Sequence, residues 1–184
     1  MIGKEDILNI LGNPWMHEDG CFWIFESSGV ATQIKKEVAD SVDTVSRCLR
    51  SHAIWIRDLE RYSDKMLRDC KELGAVNCHV ILAPKGSQIL GKHTDPWDVY
   101  IKMLRGKRTY SIEDKDIILS KGEELTIYKG QVHGVVPIED SVTINYGIEM
   151  TADLPKEPEQ YYCNAPYGLR ELFEGHSFFT SWED

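Results

Sequence analysis

His93 and Asp95 stand two residues apart in the stretch Gly91-Lys-His-Thr-Asp-Pro-Trp-Asp-Val99. In an extended chain, residues i and i+2 project to the same face, so one imidazole and one carboxylate converge. That makes two arms of a facial set of two histidines and one carboxylate, and the third arm must come from a distant strand. His133 has the right surroundings: it follows the β-rich run 125–128 and the turn Lys129-Gly130, and precedes another run that begins near Val142. Three ligands on one face of an octahedron leave room for a bidentate 2-oxo acid and for dioxygen. Thiolate ligands would instead favour zinc or an iron–sulfur cluster, and none of the five cysteines lies near these positions in sequence. An H-x-D tripeptide alone is common, and His133 alone would read as a surface turn histidine. Their combination, with a basic hairpin between them, is what points to a metal. His17, His52 and His176 have no such context.

The elements that must position these residues follow from patterning. A strand leaving the His93 turn places Trp97, Val99, Ile101 and Met103 on the ligand face, and turns Asp98, Tyr100 and Lys102 towards solvent. From about residue 77 onwards, β-rich runs fall at 77–83, 99–104, 108–113, 117–120, 125–128 and 142–150, separated by turn signals such as Arg105-Gly-Lys107 and Lys121-Gly-Glu123. Six or more short strands at this spacing predict an all-β barrel or sandwich. Helices pack outside it. The apolar residues Ile34, Val38, Val42, Val45 and Leu49 predict an amphipathic helix over 34–49. A second helix fits 63–73, capped by Ser63 and stopped by Gly74. Residues 52–56 read as a short strand. The tail 151–184 is rich in aromatics (Tyr161, Tyr162, Tyr167, Phe173, Phe178, Phe179 and Trp182) and reads as helix or loops folded back on the domain.

Taken in order, 53–62, 82–88, His93-Thr-Asp95, Val99-Tyr-Ile-Lys-Met-Leu-Arg-Gly-Lys-Arg108, 122–127 and Gly130-Gln-Val-His133 resemble the JmjC/cupin-like hydroxylases. The ribosomal oxygenases and the asparaginyl hydroxylase that modifies hypoxia-inducible factor belong to that group. The resemblance covers residues 53–148. It implies a mainly β fold with flanking helices, a double-stranded β-helix of the jelly-roll, cupin or JmjC kind. It implies Fe(II) held by His93, Asp95 and His133, 2-oxoglutarate as cosubstrate, and hydroxylation with release of succinate and carbon dioxide. It also implies a basic residue about fifteen positions after the first ligand for the distal carboxylate of 2-oxoglutarate; that residue is Arg108, whose planar fork suits a bidentate grip. Arg105 and Lys107 read as ordinary hairpin charges. Thr143 and Asn145 are secondary candidates for the same cosubstrate.

This chain departs from the family pattern in places. Where the family often has Asn near the cosubstrate, position 79 is His; Asn77 lies on the same face of the run, so either can take that role. The proline that commonly precedes the last histidine is replaced by Tyr128, and the dimerisation and winged-helix segments of ribosomal oxygenases are absent. The primary substrate is therefore left as a protein or peptide side chain or a small molecule. The same three ligands would also serve a cupin metalloenzyme, such as an isomerase, that does not use 2-oxoglutarate, or a non-catalytic JmjC-like binding module.

Composition limits the remaining possibilities. A length of 184 residues predicts one domain, with a helical part to about 75, a β core over 76–150 and an extension over 151–184. A net charge of −9 argues against a nucleic-acid partner. No apolar run is long enough for a membrane-spanning helix, and the N-terminus does not read as a secretory signal. Odd, scattered cysteines predict free thiols and a cytoplasmic setting.

Overall fold

The computed structural model describes residues 2–35, 37–149 and 169–183. The chain begins with α1 (Lys4–Leu11), α2 (Pro14–Glu18), β1 (Phe22–Phe25), β2 (Ala31–Gln33), α3 (Val38–Cys48) and β3 (Ile54–Ile56). A 3-10 turn, Leu59–Arg61, leads into α4 (Asp64–Leu73). Then come β4 (Ala75–Ala83), β5 (Asp98–Arg105), β6 (Lys107–Ile112), β7 (Lys115–Ser120), β8 (Glu124–Ile127), β9 (His133–Pro137) and β10 (Ser141–Ile148). Two short helices, α5 (Leu169–Glu174) and α6 (Ser177–Thr180), follow.

Strand order defines the architecture. One sheet runs β2-β1-β3-β4-β10-β5-β8, and the other β7-β6-β9, with an antiparallel bridge from His133 to His93 on its far side. From β4 onwards the chain alternates between the sheets: β4, the His93 segment, β5, β6 and β7, β8, β9, then β10. Every pairing is antiparallel. That winding is a double-stranded β-helix, the mainly β fold with flanking helices expected from the sequence. Between the sheets lie Val99, Ile101, Met103, Tyr110, Leu119 and Ile127.

The outer face of the large sheet is covered as well, which explains why β10 is buried almost along its whole length. Val80, Leu82, Val142, Ile144 and Tyr146 pack there against the helices and against Phe173, Phe178, Phe179 and Trp182. Tyr100 therefore does not face solvent as predicted. It packs against this cluster, 6.2 Å from the Tyr146 ring. The described part of the aromatic tail folds back as expected, while Tyr161, Tyr162 and Tyr167 lie outside the described residues.

Several element boundaries differ from the sequence reading, each for a local reason. The helix predicted over 34–49 begins only at Val38, because the Ile34 amide bonds the Phe22 carbonyl at 2.9 Å and extends the β1–β2 pairing. The part expected to be helical up to 75 also holds three strands, β1 to β3. Helix α4 matches its prediction: Ser63 Oγ accepts from the Met66 amide at 3.4 Å, and Gly74 closes it at φ 68°. In the β5–β6 hairpin a Cβ on Gly106 would stand 2.1 Å from the Asp140 carbonyl oxygen, so only glycine fits.

Candidate metal centre and its pocket

Backbone pairing brings the ligand candidates together. His93 and His133 exchange two backbone hydrogen bonds of 2.9 Å, which fixes the entrance of β5 against the start of β9. The loop that approaches β9 is tied by the Gly130 amide to the Asp95 carbonyl at 3.1 Å. The sequence pattern puts His133 in a turn before a strand near 142; in the structure it is the first residue of β9.

Both imidazoles are oriented by their Nδ1 atoms, His93 against the Gly91 carbonyl at 2.7 Å and His133 against the Gln131 carbonyl at 3.0 Å. A carbonyl can only accept, so Nδ1 carries a proton in each ring, and the inward Nε2 gives a lone pair to a metal or, when protonated, a hydrogen bond to Asp95. Asp95 Oδ2 lies 3.3 Å from His133 Nε2 and 3.9 Å from His93 Nε2. One donor atom from each of the three residues falls within 4.8 Å of the others. Two inward imidazole nitrogens and one carboxylate oxygen, each imidazole braced by a carbonyl behind it, are a donor set suited to a divalent iron-type cation. Burial opposes the charge on Asp95, but the His133 hydrogen bond and the charges of His93, His133 and His79 outweigh it and hold the carboxyl below its usual range. For His133, burial lowers the pKa, while the Asp95 hydrogen bond and the Gln131 carbonyl reverse the sign and raise it.

The three groups open onto a cavity of about 260 Å³ between the sheets. Arg108 reaches it from β6 and is fully buried. Its Nε donates to Ser141 Oγ at 2.9 Å, and Nη1 donates to Thr143 Oγ1 at 2.9 Å. Its Nη2 donates to the carbonyls of Ile81 at 2.8 Å and Ser141 at 3.2 Å. A guanidinium has five N–H donors, so one N–H, on Nη1, is left over beside the Tyr110 hydroxyl. The bidentate grip expected of Arg108 is thus not free in this arrangement; Nη1 would act together with Tyr110. Among the described residues Arg108 forms no ion pair, and burial pulls its pKa below the ordinary value, with Tyr110 opposing.

The secondary candidates divide. Thr143 is wholly buried and serves as the acceptor that holds Arg108. Asn145 lines the cavity, with Nδ2 3.2 Å from His79 Nε2 and a buried Oδ1 that has no partner among the described residues. Burial drives the His79 pKa down to about 4, with Asp95 opposing, so the ring is neutral at pH 7 and accepts from Asn145. Asn77 is on the same face and also lines the cavity. Gly147 gives these side chains room, since a Cβ there would lie 2.7 Å from Asn77 Oδ1 and 2.9 Å from Trp97 Nε1.

Residues set aside in the sequence are structural. Arg105 donates to the Phe178 carbonyl and to Ser181 Oγ, lies over the Phe178 ring and pairs with Asp140, while Lys107 pairs with Glu139 at the surface. His17 is enclosed between Ser41 Oγ and the Leu11 carbonyl. Cys21, Cys48, Cys70 and Cys78 are free thiols, and Cys163 lies outside the described residues. Sequence reasoning missed Tyr110, Ser141, Trp55 and Arg57. Tyr110 was recoverable, being two residues from Arg108 on one strand face; nothing in the sequence marks Ser141 as its partner.

Neither protein-family models nor curated proteins gave a match to this chain. Among solved structures, a conserved protein of unknown function from Streptococcus pyogenes aligns at 20% identity and a TM-score of 0.38, over 41% of this chain and 66% of that one. KdgF from a Halomonas species aligns at 19% identity and 0.38, over 41% and 72%. An RmlC-like cupin with a double-stranded β-helix fold from Methanocaldococcus jannaschii aligns at 19% and 0.37, again over 41% and 72%. The chain thus spans about two thirds of these neighbours' length. Likeness at this level says nothing about activity, and the fold assignment rests on the strand order itself. Among the described residues no helix is long and apolar enough to cross a membrane.

Proposed function

We propose that this chain is an Fe(II)- and 2-oxoglutarate-dependent oxygenase, with iron held by His93, Asp95 and His133 and 2-oxoglutarate anchored at Arg108. The observation that carries the reading is the buried Arg108, which meets no carboxylate among the described residues yet borders the cavity that holds the three ligand candidates. Burying a cation without an anion costs several kcal/mol. A dianionic cosubstrate offsets that cost, and it adds a charge-assisted bond to Nη1.

The iron would supply dioxygen activation coupled to oxidative decarboxylation of 2-oxoglutarate. The chain's own groups bind, orient and exclude water. His93 and His133 offer neutral Nε2 atoms because their protons are committed to carbonyls. Tyr110, beside Arg108, adds a hydroxyl donor for the same carboxylate. Asn145 Oδ1 is an acceptor without a partner among the described residues, suited to a ligand N–H or O–H. Val99, Ile101 and Ile127 line the inner wall and keep it dry. The product would be a hydroxylated small molecule or protein side chain.

One observation favours a second reading, a cupin metalloenzyme that uses no 2-oxoglutarate: most Arg108 donors already serve the fold. Succinate release from 2-oxoglutarate by the Fe(II)-loaded protein in air separates the two. The oxygenase reading expects release that falls to background in His93→Ala and in Arg108→Ala. Metal-loaded protein that releases no succinate, or release unchanged in His93→Ala, would overturn it.

A further inference from the structure

The large sheet is wider than the β-helix needs. Beyond β4 it continues through β3, β1 and β2, and the inward side chains of that extension form a wall beside the metal pocket. Register sets which residues these are. Trp55 pairs with Ile81 and with Trp23 across the sheet, and thus shares the inner face with His79, Asn77 and Ile81. The Trp55 ring meets His79 edge-on at 5.5 Å. Arg57, two residues past Trp55, lines the same cavity, and its guanidinium carbon lies 4.8 Å from the Trp55 ring centroid and 5.6 Å from that of Trp23.

Two indoles hold this cation in place without neutralising it. The Arg57 side chain makes no hydrogen bond and no ion pair with the described residues, so its planar fork remains available. The Trp55 Nε1 is likewise buried without an acceptor among the described residues. The next residue, Asp58, also lines the cavity and adopts a left-handed backbone at φ 59°. It occupies the N-cap of the 3-10 turn, where Asp normally caps, yet its carboxylate forms no capping hydrogen bond. A non-glycine residue in this region costs on the order of 1 kcal/mol, and such strain concentrates at ligand sites.

We propose that Arg57 and Asp58 form the primary-substrate subsite of this pocket and take the head group of a free α-amino acid, Arg57 its carboxylate and Asp58 its ammonium. The inference rests on the oxygenase reading for what happens to that substrate, not for its binding. Charge balance supports it. A divalent metal, Asp95, Arg108 and a 2-oxoglutarate dianion sum to zero, which leaves the Arg57 cation and the Asp58 anion as the further charges among the cavity-lining residues. A residue inside a peptide offers neither charge, a chain terminus offers one, and a free amino acid offers both. The cavity, about 260 Å³ in volume, lies below the usual range for drug-sized ligands and suits a cosubstrate with one small molecule.

The test is calorimetric titration of the full chain loaded with Mn(II), using each free proteinogenic L-amino acid together with its amide and its N-acetyl derivative. At least one amino acid is expected to bind, and its amide and N-acetyl forms at least tenfold more weakly. Arg57→Gln and Asp58→Asn should each weaken it at least tenfold, about 1.4 kcal/mol, while binding Mn(II) and 2-oxoglutarate as the wild type does. Asn also tolerates the left-handed backbone, and the ligand derivatives probe the subsite on unaltered protein. The proposal is overturned if no free amino acid binds, if blocked forms bind equally, or if binding ignores both substitutions. Normal 2-oxoglutarate binding with no amino-acid binding removes this subsite alone. Amino-acid binding through Arg57 without 2-oxoglutarate binding removes the oxygenase reading alone.

Discussion

Arg108 does two things that pull against each other. Its Nε and Nη2 fasten β6 to β4 and β10 through Ser141 and the Ile81 carbonyl, and Nη1 holds Thr143 on β10, which leaves one N–H beside Tyr110. Arg108→Lys keeps the charge but cannot reproduce the fork, so it should weaken 2-oxoglutarate binding at least tenfold and also lower thermal stability. Titration of 2-oxoglutarate alongside a melting curve reads both effects. Binding lost with stability unchanged would mean that the four fold contacts contribute nothing. His93, Asp95 and Arg108 were visible in the sequence because strand alternation and fixed spacing act over a few residues. Ser141, 33 residues from Arg108, was not, because a hydroxyl partner across a barrel leaves no local pattern.

Elements were legible in proportion to the length of their periodic signal. Helix α4 has an amphipathic face, a serine cap and a left-handed glycine stop, and its limits match the sequence reading. Strands β1, β2 and β9 were missed: each is short, and β9 carries Gly134 and Pro137, which read as turn residues. Ser63→Ala should cost about 1 kcal/mol through the lost cap, as measured by denaturant unfolding. It should leave metal binding untouched, because α4 packs on the outer side of the large sheet. Gly147→Ala belongs to the opposite face. Its Cβ would press on Asn77 Oδ1 at 2.7 Å and Trp97 Nε1 at 2.9 Å, so ligand affinity should fall more than stability does. A destabilised variant with unchanged affinity would show that the Asn77 side of the pocket does not contact ligand.

At the scale of the whole molecule, two buried groups give stability an opposing pH dependence. Burial lowers the His17 pKa to about 4, against the pull of the Leu11 carbonyl. The unfolded chain therefore binds the extra proton between about pH 6.5 and 4, and His17 makes stability fall as pH drops through that window. Burial raises the Glu60 pKa to about 7, opposed by the Cys78 amide that it accepts at 2.9 Å. Here the folded state holds the extra proton, so its contribution is complete below about pH 4.5 and is lost as pH rises through 7. Glu60→Gln keeps an acceptor for Cys78 and removes the titration. It should raise stability at pH 8 by up to about 3 kcal/mol and leave it nearly unchanged at pH 5. Equal melting shifts at both pH values would contradict the assignment. Neither group could be read from the sequence, because burial of a charged residue depends on packing of distant elements.

On the proposed reading, one pocket joins a metal held by His93, Asp95 and His133 to a carboxylate held by Arg108. Calorimetric titration of 2-oxoglutarate into the Mn(II)-loaded chain, without oxygen, tests it most directly. Binding should require the metal, disappear in Asp95→Ala, and weaken at least tenfold in Arg108→Ala while that variant still binds Mn(II). Failure of 2-oxoglutarate to bind the Mn(II)-loaded wild type, or equal binding to metal-free protein, would contradict the account.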